Sequence, residues 1–366
     1  MFEEGIGKYI RPELKSFGGY AASKAPETLK GKISVPVDKI IKLDANENPY
    51  GCSPKVEKAL AEYKGIHIYP DSGQQELRKH LQDYTGVPME HIVASAGSDQ
   101  LIDLLMRLFI SKGDEVINCI PTFAMFQFFI NLVDGTTVNV LRDENFMVDV
   151  KALKKAITPK TKLILLATPN NPTGTIMPKK DILAVLDSGI PTLVDEAYYE
   201  FTGETMAQLV GKYKNLMVIR TFSKWAGLAG LRIGYGMFPL EIANILLKIK
   251  EPYCVNVAAQ LAAIESVKDK EYLMEKVKII SAERDNLYTL LQQTGWLKPY
   301  PSKANFILCA VLKGRAKDIQ QKLEEMGILV RYFYTPLLKD SLRISVGKPE
   351  ENKALIQALN KIGEGL

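Results

Sequence analysis

Histidine is scarce in this 366-residue sequence: there are three, His67, His80 and His91. None stands in an H-E-x-x-H run or in a spacing that gathers three ligands, so metal catalysis finds no support. Cysteine is scarce too. Cys52, Cys119, Cys254 and Cys309 lie far apart in apolar surroundings and form no C-x-x-C pair. They read as buried free thiols of a reducing cytoplasm, not as a disulfide framework. An excess of one charge is also missing. The 47 Lys and Arg against 42 Asp and Glu leave +5 at neutral pH, too mild and too dispersed to be a footprint for nucleic acid. No apolar run is long enough to cross a bilayer. The most hydrophobic window, "IPTFAMFQFFINLV", is interrupted by Pro121, Gln127 and Asn131 and reads as a buried helix. Met1 to Arg11 is polar and has no apolar h-region, so no secretory signal is expected. The expectation is a soluble, cytoplasmic protein whose partners are neither membrane nor nucleic acid.

What is present is apolar and periodic. At 46% hydrophobic residues, a chain of this length can bury a large core and divide into two domains. The middle of the sequence repeats one pattern. "HIVASAG" precedes "SDQLIDLLMRLFI", a helix with Leu101, Leu104, Leu105 and Leu108 on one face. "DEVINCI" precedes Pro121-Thr122-Phe123 and another apolar helix, and "TKLILLAT" precedes "PNNPTG". "IPTLVDEA" precedes "YYEF", and "LMVIR" precedes "TFSK". Continuous apolar strands alternating with amphipathic helices predict a mostly parallel sheet covered on both faces, the α/β class. A long helix is expected from Lys270 to Thr294, stopped by Gly295. Beyond it the chain reads β-α-β-β-α: "NFILCAV", "AKDIQQKLEEM", "ILVRYF", "LRISVG" and a closing helix from about Glu350. The expected division is an N-terminal arm at 1–43, a large domain at 44–268 and a small α+β domain at 269–366.

In an open α/β sheet, ligands bind just beyond the carboxyl ends of the strands. Here those ends carry Gly97-Ser98-Asp99, Thr122-Phe123, Asn170-Asn171, Asp195 with Tyr198, and Ser223-Lys224. Each residue type has a task if the crevice holds a pyridine aldehyde phosphate. Gly97-Ser98-Asp99 opens a helix whose free N–H groups suit a phosphate. Ser223 and Arg232 can add a hydroxyl and a guanidinium fork. Asp195 can keep a ring nitrogen protonated, which turns the ring into an electron sink. Asn171 and Tyr198 can donate to a ring oxygen, and Phe123 can stack on the ring. Lys224 can carry the aldehyde as a Schiff base and move a proton. Taken singly, each has a plainer reading: Lys224 as a surface lysine, Phe123 as core, Asp195 as a strand-end cap, "NPTG" as a turn. Their order at successive strand ends favours the shared crevice.

"ATPNNPTG", "LVDEAYYEF" and "TFSKWAGLAGLRIGYG" resemble the signature segments of the fold-type I pyridoxal 5'-phosphate aminotransferases, and the resemblance runs from about Ile41 to Gly347. "IKLDANENPYG", "YPDSGQQELR", "PTFAMF" and "VRYF…LRISVG" draw it toward the histidinol-phosphate branch of that family. The resemblance implies that Lys224 is the Schiff-base lysine and Asp195 the pyridinium partner. Asn171 and Tyr198 meet the ring oxygen, and Gly97, Ser98, Asp99, Ser223 and Arg232 surround the phosphate. It further implies that Tyr69 reaches the cofactor phosphate of a neighbouring subunit, hence a homodimer with shared sites. Arg331 and Arg343 would grip the anionic end of a small-molecule substrate, with Tyr20 of the arm closing over it. The family often has tyrosine where this chain has Phe123, which keeps stacking and gives up a hydroxyl. The implied activity is transamination of histidinol phosphate with 2-oxoglutarate in histidine biosynthesis. Its rivals are an aromatic or broad-range aminotransferase and a decarboxylase of a phosphorylated amino acid. A cofactor-binding regulator without catalysis is disfavoured, because no segment is free to form a DNA-reading domain.

Overall fold

The computed structural model describes residues 5–15, 17–20 and 22–366; the first four residues, Ser16 and Ala21 of the expected arm lie outside the described residues. Among the described residues twelve strands follow in chain order: β1 (Ile41–Leu43), β2 (Ile92–Ser95), β3 (Glu115–Ile120), β4 (Thr136–Leu141), β5 (Thr161–Ala167), β6 (Thr192–Asp195), β7 (Leu216–Thr221), β8 (Gly234–Met237), β9 (Leu297–Pro299), β10 (Phe306–Val311), β11 (Ile328–Tyr332) and β12 (Ser341–Ser345). Seven form one sheet in the order β2-β8-β7-β6-β5-β3-β4. Only β8 runs against its neighbours, pairing antiparallel with β2 and β7. The rest is parallel, as the apolar runs predict.

Alternation along the central strands shows why both faces are covered. Leu163, Leu165 and Leu193 join one hydrophobic cluster, with helices Ser98–Phe109 and Ala124–Leu132. Ile164, Leu166 and Val194 join the other cluster, on the opposite face. Because successive side chains point to opposite sides of a strand, a buried parallel strand must be apolar at every position. Helix Ala124–Leu132 accounts for the most hydrophobic window, and the long helix runs Lys270–Gln293 before Gly295 at φ +74°. Among the described residues no helix is long and apolar enough to cross a membrane.

The second sheet has five strands in the order β1-β11-β12-β10-β9 and its own core around Leu287, Ile307, Leu342 and Leu355. Two of its strands were not foreseen. Both β1 and β9 have three residues, too short for a periodicity to show. Nor does the sequence show β4, an edge strand of "TTVNVL" in which only Val140 is buried, so no continuous apolar run marks it. Through β1, which pairs parallel with β11, the N-terminal region contributes an edge to the small sheet. Cys119 and Cys309 are buried free thiols, whereas Cys52 and Cys254 are only half-buried, each at a loop beside a helix and not inside a strand.

Candidate active site

A cavity of about 230 Å³ opens at the carboxyl ends of β5, β6 and β7. Its walls bring together Ser98, Asp99, Phe123, Asn171, Asp195, Tyr198, Ser223, Lys224 and Arg232 from the large sheet, Arg331 and Arg343 from the small one, and Tyr20. Gly97 stands just behind, as the N-terminal neighbour of helix Ser98–Phe109. The residues named from five strand ends therefore meet in one place.

Asp195 is the last residue of β6, in register with Ala167 on β5 and Ile219 on β7. Its Oδ1 accepts a hydrogen bond from the Ala197 N–H at 2.9 Å, and among the described residues no ion pair forms at its carboxylate. Burial, with the Asp99 and Glu196 carboxylates nearby, pushes its pKa up to about 7. Lys224 follows the end of β7 and donates from Nζ to the Ala45 carbonyl at 3.0 Å. Burial, with the positive charge of Arg343 nearby, brings its ammonium down to about 8. The cavity thus contains an acid without an ion pair among the described residues and an amine that gives up its proton easily, the property that makes a lysine a nucleophile.

Opposite these groups lies a cup built for an anion. Helix Ser98–Phe109 starts at Gly97, whose φ of +79° suits glycine. A Cβ on Gly97 would lie 2.6 Å from Arg232 Nη2, and one on Gly234 would overlap the Ser98 backbone nitrogen. Arg232 is itself left-handed at φ +54° and donates to Asp99 Oδ2 at 2.9 Å. The Ser223 hydroxyl accepts from Thr221 Oγ1 at 3.0 Å, which leaves its own proton for a guest. Free helix N–H groups, a hydroxyl and a guanidinium together suit a phosphate.

The remaining wall is tied into a network. Arg343 is 7% exposed and donates to Asn171 Oδ1 at 2.7 Å and to the Asp44 carbonyl at 2.6 Å, while its Nε has no hydrogen-bond partner among the described residues. Its Cα pairs with that of Arg331 across β11 and β12, and the Arg331 guanidinium lies 5.7 Å from the Tyr20 ring centroid. Tyr198 accepts at its hydroxyl from Asn46 Nδ2 at 2.8 Å, and burial pushes the phenol up to about 12. Tyr69 lies apart from this cavity. It is 76% exposed and stacks on Tyr253 with centroids 4.4 Å apart.

Asn46 is the residue that reading strand ends alone overlooks. Its backbone N–H donates to Ser345 Oγ at 2.8 Å, Ser345 Oγ donates back to its Oδ1 at 2.9 Å, and Asn305 Nδ2 donates to its carbonyl at 3.0 Å. It adopts φ +55°, which asparagine tolerates better than most residues. The density of polar residues in "DANEN" was the available signal.

The sequence profile described as Aminotransferase class I and II matches residues 38–359. The chain belongs to that family. This aminotransferase is 58% identical to a histidinol-phosphate aminotransferase of Dehalococcoides mccartyi, with 98% of each chain covered. It is 42% identical to the chloroplastic histidinol-phosphate aminotransferase of Nicotiana tabacum, over 96% of this chain and 86% of that one. A solved histidinol-phosphate aminotransferase from Sinorhizobium meliloti, in complex with pyridoxal-5'-phosphate, superposes with a TM-score of 0.89 at 26% identity, covering 97% of both chains. An aspartate aminotransferase from Thermus thermophilus gives 0.80 at 21% identity over 98% of this chain and 99% of that one, a likeness of fold. The α/β architecture is the fold-type I arrangement that the signature segments imply.

Proposed function

We propose that this aminotransferase transfers an amino group between histidinol phosphate and 2-oxoglutarate, giving imidazole acetol phosphate and glutamate in histidine biosynthesis, with pyridoxal 5'-phosphate as cofactor. The observation that carries the reading is one cavity holding an unpaired buried carboxylate, a lysine of depressed pKa, an anion cup and two arginines. The residues fit the cofactor: the two glycines keep clear the cup that a Cβ would fill, and Asp195 lacks the cation that a protonated ring nitrogen supplies. Gly97, Ser98, Asp99, Ser223 and Arg232 would hold its phosphate, Phe123 its ring face, Asn171 and Tyr198 its ring oxygen, and Lys224 its aldehyde. Bound there, the cofactor supplies the electron sink that transamination requires.

The protein's own groups do the rest. Asp195 holds a charge where a cation must be kept, in a setting dry enough to make that charge count. Lys224 Nζ takes and returns the proton, because a pKa near 8 leaves roughly a tenth of it unprotonated at neutral pH, far more than an ordinary lysine. Arg343 fixes Asn171 and, beside Arg331, presents the positive wall. A phosphate monoester and a dicarboxylate are both anions that such a wall accepts. Comparing histidinol phosphate, phenylalanine and threonine phosphate in single half-reactions on purified holoenzyme tests the reading. Histidinol phosphate should react fastest, whereas preference for phenylalanine would move the chain to the aromatic aminotransferases.

The two arginines set the expected margin. Histidinol phosphate should exceed histidinol by at least about a hundredfold in kcat/KM, roughly 2.7 kcal/mol of contact to the phosphate. Arg343→Ala should collapse that ratio more than it weakens cofactor binding. Equal efficiency on histidinol would refute the assignment of the arginines.

The exposed, apolar Tyr69–Tyr253 pair lies outside its own subunit's cavity, which supports a homodimer in which Tyr69 completes the neighbouring site. Tyr69→Phe and Lys224→Ala subunits should each be impaired alone. Mixed, they should form heterodimers in which one site carries both defects and the other neither, so activity returns. No recovery in verified heterodimers would place Tyr69 in its own subunit's site. The free thiols suit a reducing cytoplasm. The division into an arm at 1–43, a large domain at 44–268 and a small domain at 269–366 is proposed with β1 as the arm's attachment to the small sheet.

A further inference from the structure

Behind the cavity, on the far side of β6 and β7, lies a buried ionic cluster with no role so far. Glu196 is fully buried and Arg220 is 2% exposed. Arg220 meets Glu196 Oε2 from Nε at 3.0 Å and from Nη2 at 2.9 Å. Arg220 Nη2 also donates to Thr205 Oγ1 at 2.6 Å, and the guanidinium lies 3.5 Å from the Tyr199 ring centroid. Glu196 further accepts from the Thr205 hydroxyl at 2.8 Å and from the Met206 N–H at 2.6 Å.

The placement of this pair matters more than its strength. Glu196 directly follows Asp195, and its N–H donates to the Ile219 carbonyl at 2.9 Å, beside Arg220. Arg220 lies one strand end before Lys224. The charge of Arg220 also acts on the buried carboxylate of Glu200, and from there contacts return to the same lysine: Tyr84 donates to Glu200 at 3.0 Å and stacks on Trp225, the residue after Lys224, at 5.4 Å and 7°. The contacts thus link the segments carrying Asp195 and Lys224 from behind. A buried ion pair is a weak source of stability, because an apolar pair of like volume usually serves as well. A paired charge does impose one geometry on the strands it joins.

We propose that Arg220 and Glu196 are positioning residues: their buried pair joins the ends of β6 and β7 and so sets where Asp195 and Lys224 stand relative to each other. Neither touches the cavity. The inference rests on Asp195 and Lys224 being the reacting pair, so its test reads Lys224 directly as well as turnover.

The double variant Arg220→Met/Glu196→Gln removes both charges and keeps an acceptor for the Met206 N–H. Its melting temperature should stay within a few degrees of the parent. Its kcat on histidinol phosphate should fall at least about tenfold with KM little changed, a loss of roughly 1.4 kcal/mol in the transition state alone. The pH midpoint of the holoenzyme's visible absorption band should move by at least about half a unit. Competitive acetylation of Lys224 in the cofactor-free protein should show a displaced midpoint too, whatever substrate the enzyme prefers. If the double variant does not fold, Arg220→Lys keeps the charge and loses the fork, and the same displaced midpoints are expected. A folded variant of either kind with unchanged kcat and unchanged midpoints would reduce the pair to a structural one. Loss of activity in both parent and variant, with Lys224 labelling displaced in the variant, would instead indict the substrate assignment and leave the positioning role standing.

Discussion

Lys224→Ala is expected to lose turnover by at least about 10⁴-fold, roughly 5 kcal/mol of barrier, and to lose the visible absorption band of the holoenzyme with it. Among the described residues no other amine lines the cavity beside Asp195, so nothing there replaces it as nucleophile or proton carrier. In the parent protein without cofactor, competitive labelling of Lys224 should show a midpoint near 8 and not near the ordinary lysine value, because burial and Arg343 disfavour the ammonium. The free amine therefore gains as pH rises through 8. A borohydride-fixed adduct of undiminished yield in Lys224→Ala would overturn the assignment.

Asp195→Asn should slow turnover by about 10³- to 10⁴-fold, some 4 to 5 kcal/mol, while cofactor remains bound through the cup. The same substitution should act in the opposite direction on stability. Burial holds the Asp195 carboxyl near 7 against an ordinary value of 3.8, so the folded protein retains a proton that the unfolded chain gives up. The resulting cost to the fold is absent below about pH 4, grows as pH rises, and is complete above 7. Asparagine keeps an acceptor for the Ala197 N–H and carries no charge. Cofactor-free Asp195→Asn should therefore melt higher than the parent at pH 8, by on the order of 1 kcal/mol or more, and no higher at pH 4. Near-normal single-turnover rates would show that the carboxylate is merely structural, and an equal melting temperature at pH 8 would show that burial does not hold its pKa up.

Much of this was legible because parallel βα units place their strand ends along one edge, so polar residues there must share a crevice. Gly97, Phe123, Asn171, Asp195 and Lys224 could be named on that ground, and the cavity gathers four of them on its walls with Gly97 just behind. The reversed direction of β8 was not legible, since "GYGM" is the same apolar run whichever way it points. Nor was the partnership of Glu196 with Arg220: their contact depends on β6 and β7 lying side by side, which no local pattern encodes. Asn46 escaped for a similar reason. Its four hydrogen bonds reach Ser345, Asn305 and Tyr198, all more than a hundred residues away.

The three-residue strand β1 leads straight into Asp44, Ala45 and Asn46. One carbonyl of that stretch receives Arg343, the next receives Lys224, and the side chain after it holds Tyr198. The stretch itself hangs from the edge of the small sheet through β11. Amine and phenol therefore share a single tether to the sheet that carries the anion grip, and the small sheet cannot shift against the large one without both feeling the pull.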